Sequence, residues 1–362
     1  MRVALVIYHG DPTRGGAERY TRDLADALPA HGVEPIVVAS SAPADALVDV
    51  GRGSRTSRYR RFCRGVADQL ERVSADAVHL MLPVASVSAD LYHPHAGVAC
   101  ERGRLVSWLT NPRRRAFAAA ERQHAADERT TFVALSGLIR DAILRHHPNL
   151  PENRIKTVPN GVDVGRFCTE GESADDSVFT GDAPVALFVG NDWHRKGLDV
   201  VLDAMPKVPG LLLAVVGFDR PSVEEAMHKR ASSLGVSDRV AWLGKRSDLP
   251  ALYRASSVFV HASRRDPSSL VTLEALATGT PVVGTPQAGA METMTDGRHG
   301  RIVEAADIAS ALREATDDET NRRWRSALPE LRDVLSFDRH VETIVSIYKG
   351  KSSVPDATPP SS

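Results

Sequence analysis

The chain has 362 residues, of which 42% are hydrophobic and 25% are charged, and its formal net charge at pH 7 is -1. This length is large for a single hydrophobic core and natural for two domains. The near-neutral charge excludes general coating of nucleic acid, so we predict no nucleic-acid partner. The charge is unevenly distributed, because residues 1–170 hold 23 Lys and Arg against 19 Asp and Glu.

The cysteines and the apolar runs bear on where the protein resides. Cys63, Cys100 and Cys168 are far apart and lack C-x-x-C spacing, which is typical of a reducing compartment. The apolar run at the start is too short for a signal peptide, and no run of about 18 apolar residues could span a bilayer. We therefore expect a cytoplasmic protein, with attachment to the inner face of the cytoplasmic membrane left open.

The first segment has a βαβ pattern. Residues 3–8 are a continuous apolar run that predicts a strand, a glycine-containing loop with Gly15 and Gly16 follows, and an amphipathic helix ends near His31 and Gly32. A second apolar run covers residues 35–39. The pattern predicts a parallel sheet with ligand chemistry at the strand ends, although a plain tight turn also explains the glycine pair.

Two further parts of the first half carry candidate residues. Residues 52–64 are rich in arginine, which indicates a solvated helix face more readily than a contact with an acidic ligand. After a strand predicted over residues 77–82, His93 and His95 alternate around a proline. Such a pair can ligate a metal, but no third ligand is near in the sequence, so we predict no metal site.

Residues 102–115 form a basic segment that contains Trp108 and leucines. A segment of this composition can lie on an anionic bilayer surface, and it can equally be a packed helix with its arginines in water. We take peripheral contact with an anionic membrane as a possible partner interaction of this segment.

The middle of the chain predicts a domain boundary. A strand over residues 131–135 is followed by a helix capped by Ser136, and then by the run V-P-N-G-V-D, in which Asn160 and Gly161 form a turn. Residues 169–183 are polar and acidic, as expected of a hinge linker. We predict an N-terminal domain over residues 1–170 and a C-terminal domain over residues 183–337.

The second half opens with a strand over residues 185–190, followed by the run N-D-W-H-R-K-G. Arg195 and Lys196 therefore lie at a strand-to-helix corner, where two cations can hold a diphosphate and stabilise it as it leaves. A surface pair of basic residues is the plainer explanation. Strands over residues 211–217 and 240–243 continue the alternating pattern.

A strand over residues 257–261 precedes the loop D-P-S-S and a helix that stops at Gly279. Asp266 lies in this loop and Glu274 lies on the helix, with the helix start at Ser269 and Leu270 between them. Such a helix start attracts anions, phosphate above all. We expect Asp266 to Ser269 to provide the turn and the N-cap of this helix.

Four segments in this order, G-G-A-E, V-P-N-G-V-D, R-K-G and D-x7-E, resemble those of retaining nucleotide-sugar glycosyltransferases of family four, and the chain is similar to lipopolysaccharide core glucosyltransferases. The resemblance implies an α/β fold of the GT-B type, with two Rossmann-like doubly wound parallel-sheet domains facing a cleft. It also implies a closing hairpin over residues 293–303 and a last helix over residues 338–350 that returns to the acceptor-side N-terminal domain. Residues 351–362 lack core residues, so we expect a disordered tail there.

The resemblance assigns site roles residue by residue. Arg195 and Lys196 would contact the donor phosphates, Asp266 a hydroxyl of the donor sugar, and Glu274 the ribose hydroxyls. The other predicted site residues would lie beside the nucleotide or the reacting carbon of the sugar and contact the donor through backbone or side chain. They are Ser269, Leu270, Gly190, Arg246, Gly15, Gly16 and His95. Asp266 is one methylene shorter than the glutamate common in the family, which leaves the identity of the sugar open.

The implied reaction is a metal-independent transfer of a hexosyl unit, with retained configuration, from a nucleotide sugar to a glycan or glycolipid hydroxyl. UDP-glucose is the default donor, and neither a cofactor nor a metal is expected. An epimerase or a phosphorylase of the same fold remains an alternative, as does a non-catalytic membrane-associated nucleotide-sugar binder. The acceptor, which we expect to be a lipopolysaccharide core or another glycan, is not defined by these residues.

Overall fold

The structure is a computed structural model that describes residues 1–95, 97–99, 111–179 and 181–350. The chain divides into two compact units. The first unit contains residues 1–159 and the segment that begins at His340, and the second contains residues 160–339. The passage from the first to the second unit therefore occurs earlier than the predicted boundary at residue 170.

The first unit is built on a seven-stranded sheet in which every strand pair is parallel. Its strands, in chain order, are β1 (Arg2–Val6), β2 (Glu34–Ala39), β3 (Ala46–Leu47), β4 (Ala77–Leu80), β5 (Leu91–Tyr92), β6 (Thr131–Ala134) and β7 (Ile155–Thr157). They lie in the order β3-β2-β1-β4-β5-β6-β7. The sequence predicted the longer strands but not the two-residue strands β3 and β5, which are too short to show a hydrophobic pattern.

The helices described in the first unit run between these strands. They are α1 (Gly16–Ala27), α2 (Arg55–Val73), α3 (Pro112–Ala126) and α4 (Gly137–His146). Ser136 caps α4, since its hydroxyl oxygen accepts the Ile139 N–H, as the sequence predicted. The buried residues of α2 include Tyr59, Phe62 and Val66, which place this helix against the core of the first unit.

The second unit is built on a six-stranded sheet, also parallel throughout. Its strands are β8 (Val185–Val189), β9 (Leu212–Val216), β10 (Val240–Gly244), β11 (Val258–His261), β12 (Val282–Gly284) and β13 (Gly300–Ile302), in the order β10-β9-β8-β11-β12-β13. The predicted closing hairpin over residues 293–303 is wrong, because β13 pairs parallel to β12.

The α-helices described after residue 180 complete the architecture. They are α5 (Trp193–Lys196), α6 (Leu198–Ala204), α7 (Pro221–Ser233), α8 (Leu249–Ala255), α9 (Leu270–Ala277), α10 (Ile308–Ala315), α11 (Asp318–Ala327), α12 (Arg332–Leu335) and α13 (Phe337–Tyr348). The last of these, α13, contains the start of the returning segment of the first unit.

Strand β8 shows why these sheets are buried on both faces. Successive side chains of a strand point to opposite faces, and all five residues of β8 are buried. Ala186 and Phe188 belong to one hydrophobic core and Val185, Leu187 and Val189 to another. A strand covered on both sides must be continuously apolar, which is the pattern that identified it in the sequence.

Residues 169–183 are not a free linker where the structure describes them. The Ala174 N–H donates to the Ala251 carbonyl at 3.1 Å, and the Arg254 guanidinium donates to the carbonyls of Glu172 at 2.8 Å and Cys168 at 3.1 Å. The polar composition that suggested a hinge therefore belongs to a segment packed on the second unit. Residues 102–110 of the predicted membrane segment and the predicted disordered tail lie outside the described residues.

Helix α13 is bonded to the first unit through imidazole and phenol groups. The His340 Nδ1 donates to the Pro159 carbonyl at 2.7 Å, because that carbonyl can only accept. The His340 Nε2 therefore accepts from the Tyr20 hydroxyl, at 2.8 Å. At the other end of the helix, the Tyr348 hydroxyl lies 2.6 Å from Nδ1 of His79.

His79, His93, His95 and His340 form a histidine cluster in the first unit. The ring centroid of His93 lies 5.5 Å from that of His79, 4.1 Å from that of His95 and 6.5 Å from that of His340. Burial lowers the pKa of His79 to about 3 and that of His340 to about 4, and it holds the pKa of His93 and of His95 well below the usual value. The cluster is therefore neutral at pH 7.

We expect the first unit to lose stability as the pH falls below about 6.5, because the buried imidazoles stay neutral in the native state while the unfolded chain gains protons there. Each such histidine contributes about 1.4 kcal/mol per pH unit. The effect continues down to the native pKa of about 4 for His340 and about 3 for His79. Above pH 6.5 neither state binds these protons. Urea denaturation over this pH range measures the slope.

The control for this prediction is an exposed histidine. His93→Phe should make the pH dependence of the free energy of unfolding shallower by one proton, whereas His228→Gln, at an exposed position, should leave it unchanged. Equal slopes in His93→Phe and the parent protein would contradict the assignment of the cluster.

Candidate functional site

The candidate site lies in the second unit, at the carboxyl ends of the neighbouring parallel strands β8 and β11. Gly197 brings the loops after these strands together, because it has φ +80° and a Cβ built on it would lie 1.9 Å from the Ala262 carbonyl oxygen. The Arg264 N–H donates to the Arg195 carbonyl at 2.9 Å, and the Ser263 hydroxyl donates to the same carbonyl at 3.2 Å. The glycine of the R-K-G segment is therefore required by backbone contact.

Lys196 and Asp266 form an ion pair across these loops. The Lys196 ammonium donates to Oδ2 of Asp266, and the two side chains are only 13% and 10% exposed. The stem of Lys196 passes over Gly190, where a Cβ would lie 3.5 Å from its Cγ. The sequence predicted that both residues would contact the donor, and the structure shows that they also contact each other.

The Asp266 carboxylate has two further donors. The His261 Nε2 lies 3.0 Å from Oδ2, and the Ser269 backbone N–H donates to Oδ1 at 3.2 Å. Burial by itself would raise the pKa of Asp266, but the hydrogen bond from His261 and the charge of Lys196 outweigh it and hold that pKa well below its usual range. Asp266 is therefore an anion at every physiological pH.

His261 is a site residue that the sequence did not single out. Because a carboxylate can only accept, the proton of the neutral imidazole lies on Nε2. The Ser269 hydroxyl oxygen is 3.1 Å from this nitrogen and 2.8 Å from that of Thr272, which extends the network onto α9. Burial lowers the pKa of His261, so the ring is neutral at pH 7. Its position at the carboxyl end of a strand was the signal that could have identified it.

Ser269 occupies the left-handed region at φ 58°, ψ 70°, directly before α9. The expected side-chain cap is absent, since its hydroxyl bonds His261 and Thr272 instead. Asp192 has the same conformation, with φ 59°, before α5 in the other loop. Such backbone costs about 1 to 3 kcal/mol for a residue other than glycine and concentrates at functional sites.

Arg195 lies at the rim of the pair. Its Nε donates to Asp192 Oδ2 at 2.7 Å, its Nη1 donates to the Arg265 carbonyl at 2.9 Å, and its side chain is 41% exposed. The loop behind it is anchored by the Trp193 N–H, which donates to Asp219 at 2.6 Å. Arg195 is thus oriented and still reachable from solvent.

Glu274 is buried on α9, and its Oε2 accepts from the Tyr253 hydroxyl at 3.2 Å.

Asn160 is a second residue that the sequence did not assign to the site. The sequence predicted only a turn at this residue, without a chemical role. Its Nδ2 donates to the Ser268 hydroxyl at 2.8 Å, which ties the start of the second unit to the D-P-S-S loop.

Arg246 uses four of its five side-chain N–H donors in bonds to carboxylates of the second unit. Its guanidinium pairs with Asp176 at 2.8 and 3.0 Å and with Asp248 at 2.8 and 2.5 Å. Hydrogen bonds to these two carboxylates raise the pKa of Arg246 above its usual value. The two ion pairs hold the Arg246 side chain within the unit, and the contact predicted for this turn, which is mainly through its backbone, stays a prediction.

The remaining predicted residues lie in the first unit. Gly15 and Gly16 are exposed at the start of α1, and a Cβ on Gly16 would meet nothing within 4 Å. His95 packs against Tyr20, with ring centroids 4.3 Å apart, and its Nε2 is buried without a hydrogen-bond partner in the described part of the chain.

The described residues contain neither a metal-ligand cluster nor a membrane-spanning helix. In the described ranges, no three His, Cys, Asp or Glu side chains are grouped so that they could hold a metal ion. Among the same residues, no helix is both long enough and apolar enough to cross a bilayer.

Comparison with known proteins agrees with this fold. Residues 14–166 match the family model described as Glycosyltransferase Family 4, and residues 170–329 match that described as Glycosyl transferases group 1. Two parallel-sheet units with these matches define a glycosyltransferase of the GT-B fold. The chain belongs to glycosyltransferase family four and is a hexosyltransferase, as its ordered motifs predicted.

Its relatives include transferases of lipopolysaccharide synthesis. The chain is 27% identical over 333 residues to the lipopolysaccharide core biosynthesis glycosyltransferase LpsE of Rhizobium meliloti (strain 1021), covering 87% of this chain and 89% of that one. It is 27% identical over 325 residues to the lipopolysaccharide glucosyltransferase WaaG of Escherichia coli (strain K12), covering 84% and 85%. The crystal structure of WaaG superposes with a TM-score of 0.80 at 24% identity, covering 96% of this chain and 100% of that chain.

We expect the Lys196–Asp266 pair to be strongly coupled. Asp266→Leu or Lys196→Met alone leaves a buried charge without its partner and should lower the free energy of unfolding by about 3 to 5 kcal/mol. The double variant Lys196→Met/Asp266→Leu should lose less than the sum of the two. Denaturant unfolding of all four proteins gives the coupling energy.

A surface ion pair provides the comparison for this cycle. Lys229 and Glu225 are 2.6 Å apart but 75% and 66% exposed, so the same cycle there should give a coupling below about 0.5 kcal/mol. If the losses in free energy of unfolding for the two single variants add up to the loss in the double variant, Lys196 and Asp266 are not coupled.

Proposed function

We propose that the protein transfers a hexosyl unit, with retained anomeric configuration and without a metal ion, from a nucleotide sugar to a hydroxyl of a glycan or glycolipid. UDP-glucose is the proposed donor and a lipopolysaccharide core the proposed acceptor. The observation that carries this proposal is the buried Lys196–Asp266 pair beside the start of α9, with Arg195 at its rim.

Lys196 is suited to bind the donor diphosphate. An ammonium group carries three N–H donors, and Asp266 takes one of them, so two can bond phosphate oxygens. Because Asp266 already fixes its position, the ammonium needs little rearrangement when charge develops on the leaving diphosphate. Such preorganised donors contribute more to catalysis than mobile ones.

Arg195 and the start of α9 supply the remaining positive charge. Arg195 is partly exposed and presents a planar guanidinium that can bond a phosphate through two N–H groups. Of the two predicted backbone donors, the Ser269 N–H is already taken by Asp266, which leaves the Leu270 N–H at the positive end of the helix. Together these groups can neutralise a diphosphate without a metal ion.

Asp266 retains room for a sugar hydroxyl. A carboxylate has about four lone-pair sites, and Lys196, His261 and the Ser269 N–H occupy three. Glu274, whose Oε2 is oriented by Tyr253, would bind the ribose hydroxyls. No residue is proposed as a nucleophile, so the acceptor hydroxyl attacks from the side of the departing diphosphate, whose phosphate oxygen takes the proton.

The relatives and the basic first half of the chain support the proposed acceptor and location. LpsE is named a lipopolysaccharide core biosynthesis glycosyltransferase, and WaaG is named a lipopolysaccharide glucosyltransferase. We place the enzyme in the cytoplasm, in peripheral contact with the anionic inner membrane face through residues 102–115. Of the described part of this segment, Arg115 is exposed and is available for such contact.

The donor-phosphate assignment predicts a loss of activity in Lys196→Ala. Removing one preorganised contact to the leaving group should lower kcat/KM for the nucleotide sugar by about 100- to 1000-fold. Radiolabelled transfer from UDP-glucose to extracted glycolipid measures it. Arg220→Ala, at a side chain that is 83% exposed in a neighbouring loop, should have no effect. Equal turnover by Lys196→Ala and the parent enzyme would rule out the assignment.

Two measurements test the reaction type. The product should have the anomeric configuration of the donor sugar, which one-dimensional proton NMR reports from the anomeric coupling constant. Turnover should be unchanged by EDTA, because cationic side chains and a helix start neutralise the diphosphate. Inversion of configuration, or activity restored only by added Mg²⁺ or Mn²⁺, would contradict the proposal.

A further inference from the structure

A second group of positive charges lies in the first unit, around the segment that follows β1. The guanidinium carbon of Arg113 is 5.8 Å from the Tyr8 ring centroid and 4.9 Å from that of Phe117, and the His9 ring is 4.7 Å from the Tyr8 ring. Burial and then the positive charges of Arg14, Arg113 and Arg58 lower the pKa of His9. All three guanidinium groups thus act on one imidazole.

These arginines lie where helices begin. Arg58 is in the first turn of α2, Arg113 is in the first turn of α3, and Arg14 lies two residues before the start of α1. In a parallel sheet, helices that follow strands begin at the carboxyl edge, where ligands bind. Helix starts carry partial positive charge, so basic side chains there are unfavourable without an anion. Neither α2 nor α3 has an acidic residue in its first turn.

Asp11 is a nearby carboxylate that raises the pKa of His9, but its effect is smaller than those of the three arginines, and its Oδ1 accepts from the N–H and the hydroxyl of Thr13. In the part of the chain that the structure describes, Arg14, Arg58 and Arg113 form no ion pair with a carboxylate. The Arg58 Nε is buried and has no hydrogen-bond partner among the same residues. An unsatisfied buried N–H is costly, and it points to a ligand that accepts from it.

Arg61, one turn further along α2, shows the contrast. Its Nε donates to the Val50 carbonyl at 2.6 Å and its Nη2 to the Arg52 carbonyl at 2.6 Å. Arg61 therefore holds a loop in place, which is a structural role. Arg58 lies on the same helix but makes no such side-chain bond to any residue that the structure describes.

We propose that Arg14, Arg58 and Arg113, with His9, form an anion-binding site that takes a phosphate group of the acceptor. We call this group the arginine site. Three guanidinium groups suit a phosphate, which can accept several hydrogen bonds and carries up to two negative charges. That the phosphate belongs to the acceptor rests on the proposed function, whereas the binding of a phosphate group at this site does not.

The phosphate can come from a phosphorylated sugar of the acceptor or from a lipid headgroup. The partial burial of Arg58 and Arg113 favours a discrete phosphate group that enters the site. Arg60 and Arg115 lie on the same two helices but are exposed, so a membrane surface would contact them rather than the partly buried Arg58 and Arg113. The pair Arg60→Gln/Arg115→Gln is therefore a control with the same change of charge.

Calorimetric titration of the full chain with inorganic phosphate tests the arginine site. All variants carry Lys196→Ala, so that phosphate binding at the donor loops of the second unit does not contribute. Arg58→Gln/Arg113→Gln should weaken phosphate binding by about 10- to 100-fold, as expected for the loss of charge-assisted hydrogen bonds. Arg60→Gln/Arg115→Gln should weaken it far less. Equal losses in both pairs, or no phosphate binding at all, would overturn the proposal.

His9 gives a second readout that needs no turnover. Phosphate should raise the pKa of His9, followed by its NMR resonances, because an anion offsets the charges of Arg14, Arg58 and Arg113. The shift should disappear in Arg58→Gln/Arg113→Gln, with far-ultraviolet circular dichroism confirming that the variant is folded. A His9 pKa that does not respond to phosphate in the parent protein would count against the site.

Two further arms identify the source of the phosphate. A soluble sugar phosphate should bind with the same variant dependence as inorganic phosphate, whereas sedimentation with phosphatidylglycerol vesicles should depend on Arg60 and Arg115. A different result would overturn the proposal in favour of a membrane contact. In that case only Arg58→Gln/Arg113→Gln would lose vesicle binding, and the protein would bind no soluble phosphate.

Turnover separates this inference from the proposed function. With a phosphorylated acceptor, Arg58→Gln/Arg113→Gln should raise KM for the acceptor and leave KM for the nucleotide sugar unchanged. If no nucleotide sugar is turned over while phosphate still binds as described, the proposed function fails and the arginine site stands. If transfer proceeds and the arginines affect neither phosphate binding nor KM, the arginine site fails and the function stands.

Discussion

The buried ion pair between Lys196 and Asp266 is the interaction on which the candidate site depends. Taking two charges out of water is costly, and their attraction offsets that cost only when further hydrogen bonds satisfy the remaining sites. His261 and the Ser269 backbone supply those bonds to Asp266. The consequence is a cation whose position is determined before any ligand arrives. A fixed cation loses little conformational freedom on binding, which suits it to hold a diphosphate.

The two units use the same physical arrangement for their chemistry. The strands of a parallel sheet covered on both faces are apolar, so polar groups collect at the carboxyl edge, where the helices begin. In the second unit this edge carries Arg195 and Lys196, and in the first it carries His9, Arg58 and Arg113. In both cases basic side chains add to the positive ends of helices. Each edge is therefore suited to an anion.

Particular residues show how far local sequence patterns reach. The R-K-G and D-x7-E segments were recognised from the sequence, and they meet because β8 and β11 are neighbours in a parallel sheet. Their partners were not predicted. Lys196 bonds Asp266 directly, and Arg246 pairs with Asp176 and Asp248. The pairs Lys196–Asp266 and Arg246–Asp176 each join residues 70 positions apart in the sequence, and no local pattern records which donor meets which acceptor.

The sequence alone determined the two parallel α/β units, most strands and helices, and the family. Apolar runs, turn residues and caps act over a few neighbouring residues, so they can be recognised without the fold. The tertiary structure decided the place of His261 and Asn160 in the site, the packing of residues 169–179 on the second unit, and the partner of Lys196. Hydrogen bonds form only within a few tenths of an ångström of their optimal distance, and that distance is set by strand register and close backbone packing such as that at Gly197.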